Sequence, residues 1–229
     1  EPWARWCAGG TTNIVLNCID KHRDTPVWDQ TFMVWEGEDK TEQRTLNYRE
    51  LDREVSRLAQ GLRDLGITQG DVVALYMPNL PETFVAFFAV MKLGAILLPL
   101  FSGFGPAPII SRLNHGEAKA VITANGTWRR GTPAPLKSVL DTALEQAPSV
   151  QHVIVVDRGG LSVETPMRAE RDHWWHDVTA GKESDIATVE MPADAPAILL
   201  YTSGTTGEPK GCVWTQIGFI GSIVARDII

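Results

Sequence analysis

The sequence predicts an α/β fold, with an open, mostly parallel sheet and helices on both of its faces. Apolar runs of strand length alternate with segments of helical periodicity along most of the chain, and this alternation is typical of successive β–α units. The chain has 229 residues, of which 44% are hydrophobic and 21% are charged, and that length can bury a sizeable core. The helical period is clearest in the first helical segment, where apolar residues recur at steps of three and four: Leu51, Val55, Leu58, Leu62 and Leu65.

The elements can be placed in order. Residues 1–45 are rich in Trp and turn residues, and we expect an irregular N-terminal arm there, with residues 46–229 as the body. Asn47 predicts a helix start because Glu50 stands three residues later as its capping-box partner, and Gly66 predicts the end. The predicted elements that follow are strand 72–77, a helix over 81–93, strand 95–100, a helix near 106–114, strand 120–123, a helix near 136–146, strand 152–157, a polar and broken segment 158–195, strand 197–201, a short strand 211–215 and a helix in 218–229.

Several whole-chain properties exclude function classes. A net charge of −7 with scattered cations argues against non-specific nucleic-acid binding. The most apolar stretch, 83–100, is interrupted by a lysine, a glycine and a proline, so we predict no membrane span. Cys7, Cys18 and Cys212 fit neither a disulfide framework nor a zinc site, and they predict buried thiols in a reducing, cytoplasmic setting. The two histidines of HWWH, 173–176, could ligate metal, but we expect a surface segment anchored by a tryptophan and no metal site.

The stretch YTSGTTGEPKG, residues 201–211, follows an apolar strand and has an unusual composition for a connection. Its glycines permit close approach of another group to the backbone, and successive N–H groups in such a loop can form a concavity that binds an anion. Hydroxyl side chains and Lys210 add donors and a charge suited to phosphate. A flexible surface loop is the alternative, but the fixed offsets of these residue types favour a phosphate-binding loop.

Two other phosphate motifs do not fit the sequence. Gly204 and Gly207 are too close for the Walker pattern, and Gly211 rather than Ser or Thr follows Lys210. Residues 103–108, GFGPAP, lack the third glycine of the dinucleotide-binding fingerprint.

TSGTTGEPKG resembles the phosphate-loop signature of the AMP-forming adenylating enzymes, which include acyl-CoA synthetases, luciferases and the adenylation domains of peptide synthetases. Residues 45–105 and the segment AVITANGTWRRG, 120–131, are similar to the N-terminal region of acetyl- and propionyl-CoA-type synthetases. The resemblance runs from about residue 40 to the end. It implies that residues 46–229 are the N-terminal part of an AMP-binding (adenylation) domain.

The resemblance implies a ligase reaction in two steps. A carboxylic acid, of short or medium chain, reacts with ATP to give an acyl-adenylate and pyrophosphate, and the thiol of coenzyme A then displaces AMP. The implied cofactors are ATP, Mg²⁺ and CoA. The cysteine usage, net charge and hydropathy described above predict a cytoplasmic location with no nucleic-acid or membrane partner.

The resemblance also assigns residues. Lys210 is expected to stabilise charge on the leaving pyrophosphate, and the residues expected to hold the ATP phosphates are Thr202, Ser203, Gly204, Thr205, Thr206, Gly207 and Lys210. Those expected to contact CoA are Phe101, Ser102, Gly103, Arg129 and Arg130. Ser102 stands where the family has glycine, and Trp214 stands where it often has histidine. Paired arginines suit the phosphates of CoA independently of the resemblance, while solvated surface cations remain the alternative.

Other family motifs are absent from the sequence: the acyl-pocket aromatics, the Tyr-Gly-x-Thr-Glu segment, the ribose-binding Asp and the C-terminal catalytic Lys. The expectation is therefore that the chain is the N-terminal portion of a longer enzyme and is inactive alone. Two alternatives stay open: an adenylating enzyme whose acceptor is a carrier protein, and a non-catalytic nucleotide-binding fragment.

Overall fold

The computed structural model describes residues 7–38, 42–202 and 209–224, with the side chains of the last range described to residue 222. The helices are α1 (Ile14–Cys18), α2 (Tyr48–Asp64), α3 (Pro81–Lys92), α4 (Pro106–His115), α5 (Leu136–Leu144), α6 (Trp175–Thr179) and α7 (Gln216–Val224), with 3₁₀ turns at Asp20–His22 and Pro26–Asp29. The strands are β1 (Thr11–Thr12), β2 (Thr31–Glu36), β3 (Gln43–Asn47), β4 (Val72–Met77), β5 (Ile96–Phe101), β6 (Ala120–Ala124), β7 (Gly126–Arg129), β8 (Thr132–Pro135), β9 (His152–Val156), β10 (Asp172–Trp174), β11 (Met191–Pro192), β12 (Pro196–Tyr201) and β13 (Gly211–Thr215).

A seven-stranded sheet organises the fold, in the order β10-β9-β6-β4-β5-β12-β13. Its first six strands are parallel, and β13 runs antiparallel to β12. Helices α2, α3 and α6 pack together, and α4 packs on α5, as right-handed crossovers to the two sides of β4 require. The predicted open, mostly parallel α/β sheet is therefore confirmed.

The body of the chain follows the sequence pattern closely. The capping box of α2 is present, because Asn47 Oδ1 accepts from the Glu50 amide at 2.8 Å and the Asn47 amide donates to Glu50 Oε2 at 2.9 Å. Gly66 has a φ of 83° just beyond the helix, which is the left-handed position that glycine favours after a helix. The predicted strands of the main sheet lie within two residues of their expected bounds. Of the predicted last helix, residues 225–229 lie outside the described ranges.

The expectation of an irregular N-terminal arm is corrected by the structure. Residues 7–38 contain α1 and two 3₁₀ turns, and β2 pairs with β3 in an antiparallel hairpin. Ile14, Val15 and Ile19 are fully buried in the main hydrophobic core. These elements are only two to six residues long, so they carry too few repeats for a periodicity to show. The division into an arm and a body remains a prediction.

The cysteines also differ from expectation. Cys7 and Cys212 are exposed, and only Cys18 is half-buried. Cys7 lies in a turn at a φ of 52°, and Cys212 lies on the edge strand β13, so neither position is covered. Burial raises the pKa of the Cys18 thiol, and the nearby Lys21 charge acts in the opposite direction. Among the residues that the structure describes, no helix combines the length and apolarity needed to cross a bilayer.

Candidate functional site

The carboxyl ends of the parallel strands bring two predicted site residues, Ser102 and Thr202, to one edge of the sheet, together with Asn79, which was not predicted to belong to the site. Asn79 lies just beyond β4, Ser102 follows β5, and Thr202 follows β12. The chain leaves β4 through α3 towards β5, whereas it leaves β6 through α5 towards β9, on the opposite side. This reversal makes the gap between β4 and β6 a topological switch point, which is where open α/β sheets bind ligands.

A cavity of about 360 Å³ lies at this switch point. Its lining combines aromatic, cationic and acidic residues, and it includes Trp35, Glu36, Glu38, Asn79, Ser102, Trp128, Arg129 and Arg158. Arg158 is committed to protein partners, because Nη2 pairs with Glu42 Oε2 at 3.0 Å. Arg129 is exposed, and no carboxylate of the described ranges pairs with it, so its charge is available to an anionic ligand.

The hydroxyl of Tyr76 is hydrogen-bonded to the turn that follows β5. The Tyr76 hydroxyl donates to the Phe104 carbonyl at 2.9 Å and lies 3.3 Å from the Ser102 carbonyl. Burial raises the pKa of Tyr76, and the Arg129 charge partly offsets that rise, so the hydroxyl keeps its proton and stays a donor. The Phe101 ring covers Gly103 so closely that a Cβ there would collide with it. A larger residue at this position would therefore require the exposed Phe101 ring to move.

Arg129 ends one strand of a small hairpin, and Arg130 begins the loop that follows it. β7 and β8 pair up to Arg129 and Thr132, so Arg130 and Gly131 form a two-residue loop with φ values of 53° and 75°. Both positive angles are those of a type I′ turn. The Arg129 guanidinium Nη2 lies 3.4 Å from the Ser102 carbonyl. The structure therefore brings Arg129 together with the turn at Ser102, and it places Arg130 at the tip of the hairpin.

The phosphate-loop stretch joins β12 to β13. Tyr201 pairs with Gly211 in the antiparallel register, and the Thr202 amide donates to the Lys210 carbonyl at 3.1 Å, which closes the base of the hairpin. The side chains of Thr202 and Lys210 are exposed. The other residues predicted to bind phosphate lie outside the described ranges: Ser203, Gly204, Thr205, Thr206 and Gly207.

Trp214, which replaces the family's frequent histidine, lies away from this edge. It faces Phe219 across 6.3 Å between ring centroids and lines a second, apolar cavity of about 420 Å³ with α3 and β5 residues. Within the described part of the chain, no group of three or more His, Cys, Asp or Glu side chains is placed to hold a metal ion. Trp174 and Trp175 are partly buried against the core, in agreement with the predicted anchoring of that segment.

Sequence reasoning missed three groups at this edge. Trp35 belongs to the segment that was expected to be irregular. Arg158 follows β9 directly after Asp157, in the segment described only as polar and broken. Tyr76 was expected only as a buried residue of a strand. A signal existed for Arg158, since it stands at the carboxyl end of a predicted parallel strand, where site residues collect. Trp35 reaches the edge through the β2–β3 hairpin, and its indole Nε1 donates to the Asn79 carbonyl at 2.8 Å.

Comparisons with known proteins agree with this architecture. The family model described as AMP-binding enzyme matches residues 20–227. The chain is similar to the acetyl-coenzyme A synthetase of Rhodopirellula baltica, at 43% identity over 95% of this chain and 33% of that protein, and to that of Mycobacterium bovis, at 43% identity over 96% and 34%. Among solved structures, the acetoacetyl-CoA synthetase from Streptomyces lividans matches with a TM-score of 0.86 and 28% identity, over 97% of this chain and 33% of that one. The chain thus spans about a third of the length of these relatives.

Proposed function

The chain belongs to the AMP-binding enzyme family, and on that basis we propose that it carries the phosphate-loop and CoA-facing part of an AMP-forming acyl-CoA synthetase. The acid is of short or medium chain, and the names of the similar proteins, acetyl- and acetoacetyl-CoA synthetase, favour a short one.

The proposed reaction makes and breaks one bond in each half. In the first half, a carboxylate oxygen forms a bond to the α-phosphorus of ATP, and the bond to pyrophosphate breaks with its electron pair. In the second half, the sulfur of CoA bonds to the acyl carbon, and AMP leaves with the carboxyl oxygen. Mg²⁺ would neutralise phosphate charge in the first half, and we assign none of the described residues to it.

Lys210 and Thr202 are proposed to bind the phosphates of ATP in the first half of the reaction, with Lys210 supplying the positive charge. Lys210 stands at the base of the hairpin that follows β12 and is exposed, so its ammonium group can reach a phosphate that enters the loop. Charge develops on pyrophosphate only as the bond to the α-phosphorus breaks. A cation beside the leaving pyrophosphate would therefore stabilise the transition state more than the bound substrate.

Arg129 and the cavity beside it have the chemistry for the second substrate. The cavity of about 360 Å³ offers flat aromatic walls at Trp35 and Trp128, against which a ring system can pack. The guanidinium of Arg129, which has no carboxylate partner among the described residues, suits a phosphate group. What supports the proposal is the common edge: the cavity with Arg129 and the hairpin with Lys210 both lie at the carboxyl ends of the parallel strands.

We expect Arg129→Ala to weaken CoA binding. A lost charged hydrogen bond is worth about 1.5–3 kcal/mol, or roughly 10- to 150-fold in affinity. Calorimetric titration with CoA measures the loss, and pantetheine, which has no phosphate, should bind the variant and the wild type equally. Arg63→Ala is the control, because Arg63 is exposed near the end of α2, at the opposite edge of the sheet. Unchanged CoA affinity would return Arg129 to the class of solvated surface cations, and it would favour a carrier protein as the acceptor.

We expect Lys210→Ala to slow adenylate formation selectively. Removing one preorganised charge-stabilising donor costs about 2.7–4 kcal/mol, roughly 10²–10³ in rate. In a longer ligase that contains this chain, pyrophosphate exchange reports the first half, and thioester formation from supplied acyl-AMP reports the second. Equal slowing of both halves would mean that the hairpin only supports the fold.

A further inference from the structure

A buried arginine connects the two parts of the candidate site. Arg112 lies in α4 and is 8% exposed. Its guanidinium carbon is 4.6 Å from the centroid of the Phe104 ring and 5.4 Å from that of Tyr201. Phe104 belongs to the turn that also contains Ser102, and Tyr201 is the last residue of β12 before the phosphate-loop stretch.

The charge of Arg112 has no anionic partner among the described residues. Its Nη1 donates to the Pro108 carbonyl one turn earlier in α4, at 2.9 Å, and no carboxylate of the described ranges pairs with it. A buried cation without a carboxylate is costly, and the faces of two aromatic rings supply part of the compensation. The contact with Arg112 therefore also restrains the positions of the Phe104 and Tyr201 rings.

A second residue of α4, His115, also contacts Tyr201. The Tyr201 hydroxyl lies 2.5 Å from His115 Nδ1, and the two rings meet edge to face at 5.5 Å. Phe104 is fixed through its backbone as well, since its carbonyl accepts from Tyr76. Thus α4 contacts Tyr201 at two points, and Arg112 is the side chain that also reaches Phe104.

We propose that Arg112 is a positioning residue that sets the distance between the Ser102 turn and the base of the phosphate hairpin. The inference rests on the proposed function, because it assigns CoA to the first element and ATP to the second. Arginine is required rather than lysine, since a planar guanidinium can lie against an aromatic face over its whole area, whereas an ammonium group is a compact and strongly hydrated charge.

The test is a steady-state comparison in a longer ligase that contains this chain. For Arg112→Met, which keeps the bulk and removes the charge, we expect the KM values for CoA and ATP to rise together, each by roughly 2- to 30-fold, the range that a cation–π contact supports. Arg112→Lys should restore only part of the loss. Arg23→Met is the control, because Arg23 contacts the Trp28 ring at 5.7 Å, outside the candidate site. Arg23 also pairs with Asp52 and Asp185, each at 2.7 Å, so this variant should lose stability but leave both KM values unchanged.

Each outcome has a defined meaning. A lower melting temperature with both KM values unchanged overturns the inference and makes Arg112 a packing residue. If Arg112→Met does not fold, Phe104→Leu removes one ring while Arg112 stays, and unchanged KM values in that variant overturn the inference equally. Failure of the proposed function is distinguishable, because Arg129→Ala would then leave CoA binding intact whatever Arg112 does.

Discussion

A buried ion cluster at the β10 edge of the sheet gives the sharpest stability prediction. The Asp172 carboxylate is fully buried and lies 2.7 Å from Lys137 Nζ, which is also fully buried. It also lies 2.6 Å from Arg171 Nε and accepts from the Arg168 amide at 3.0 Å. Asp141 is the second carboxylate of the cluster, at 2.7 Å from Lys137 and 2.6 Å from Arg171. Asp172→Asn leaves two cations to share Asp141.

The expected cost follows from that geometry. Breaking a buried pair by neutralising one partner costs about 3–5 kcal/mol, because a buried charge loses its compensation. For a chain of this length each kcal/mol shifts the melting temperature by about 2–4 °C, so the variant should melt about 6–20 °C lower. Asp29→Asn is the control. Asp29 pairs with Arg49 at 2.8 Å, but the two side chains are 69% and 43% exposed, and such pairs add nothing measurable to many proteins.

The difference in melting temperature between the wild type and Asp172→Asn should shrink as the pH falls. Burial alone would raise the pKa of Asp172, but hydrogen bonds from the neighbouring cations and the Arg168 amide lower it below its usual value. The folded carboxyl therefore holds a proton less tightly than the unfolded one, whose pKa is about 3.9. The stabilisation is complete above that pH and is lost as the pH falls through the lower folded value. Thermal melts of the wild type and the variant at a series of pH values test this. The reasoning is refuted if the difference between the two melting temperatures does not narrow below about pH 4.

Two further predictions concern the turns of the candidate site. Tyr76→Phe should weaken CoA binding and lower the free energy of unfolding by about 1–3 kcal/mol, since it leaves the Phe104 carbonyl without its donor; titration and denaturant melts measure both, and unchanged CoA affinity would separate Tyr76 from the site. Arg130→Asn should raise the melting temperature by about 2–4 °C, because asparagine adopts the left-handed conformation of that position at lower cost; a lower melting temperature would contradict the type I′ assignment of the loop at Arg130 and Gly131.

The fold was predictable where elements were long and periodic. The face of α2 and the apolar runs of β4, β6 and β9 repeat often enough to define their own structure. The segment around Asn13 could not be predicted, because its order depends on distant groups. The buried Asn13 amide donates to the carbonyls of Met91 and Val189, both at 2.8 Å. Such pairings join residues far apart in sequence and leave no local signal.

The candidate site divides in the same way. Residues from the family signature, such as Lys210, were named from the sequence by resemblance, and Ser102 and Arg129 prove to be neighbours at the expected edge. Arg158 and Trp35 were missed because only strand order and hairpin pairing bring them to the cavity. A buried cation such as Arg112 is likewise invisible in the sequence, since its environment is built from two separate turns.

The unpaired edge of strand β13 is expected to affect how the chain self-associates in solution. Its residues 211–214 are exposed, Val213 to 57%, and within the described ranges no strand pairs with its outer side. An uncovered edge of this kind is a template on which another polypeptide can add in register. Because β13 leads directly out of Lys210, a strand added there would hold one arm of the phosphate hairpin still. Self-association at this edge is thus expected to restrain β13 and the Lys210 end of the hairpin.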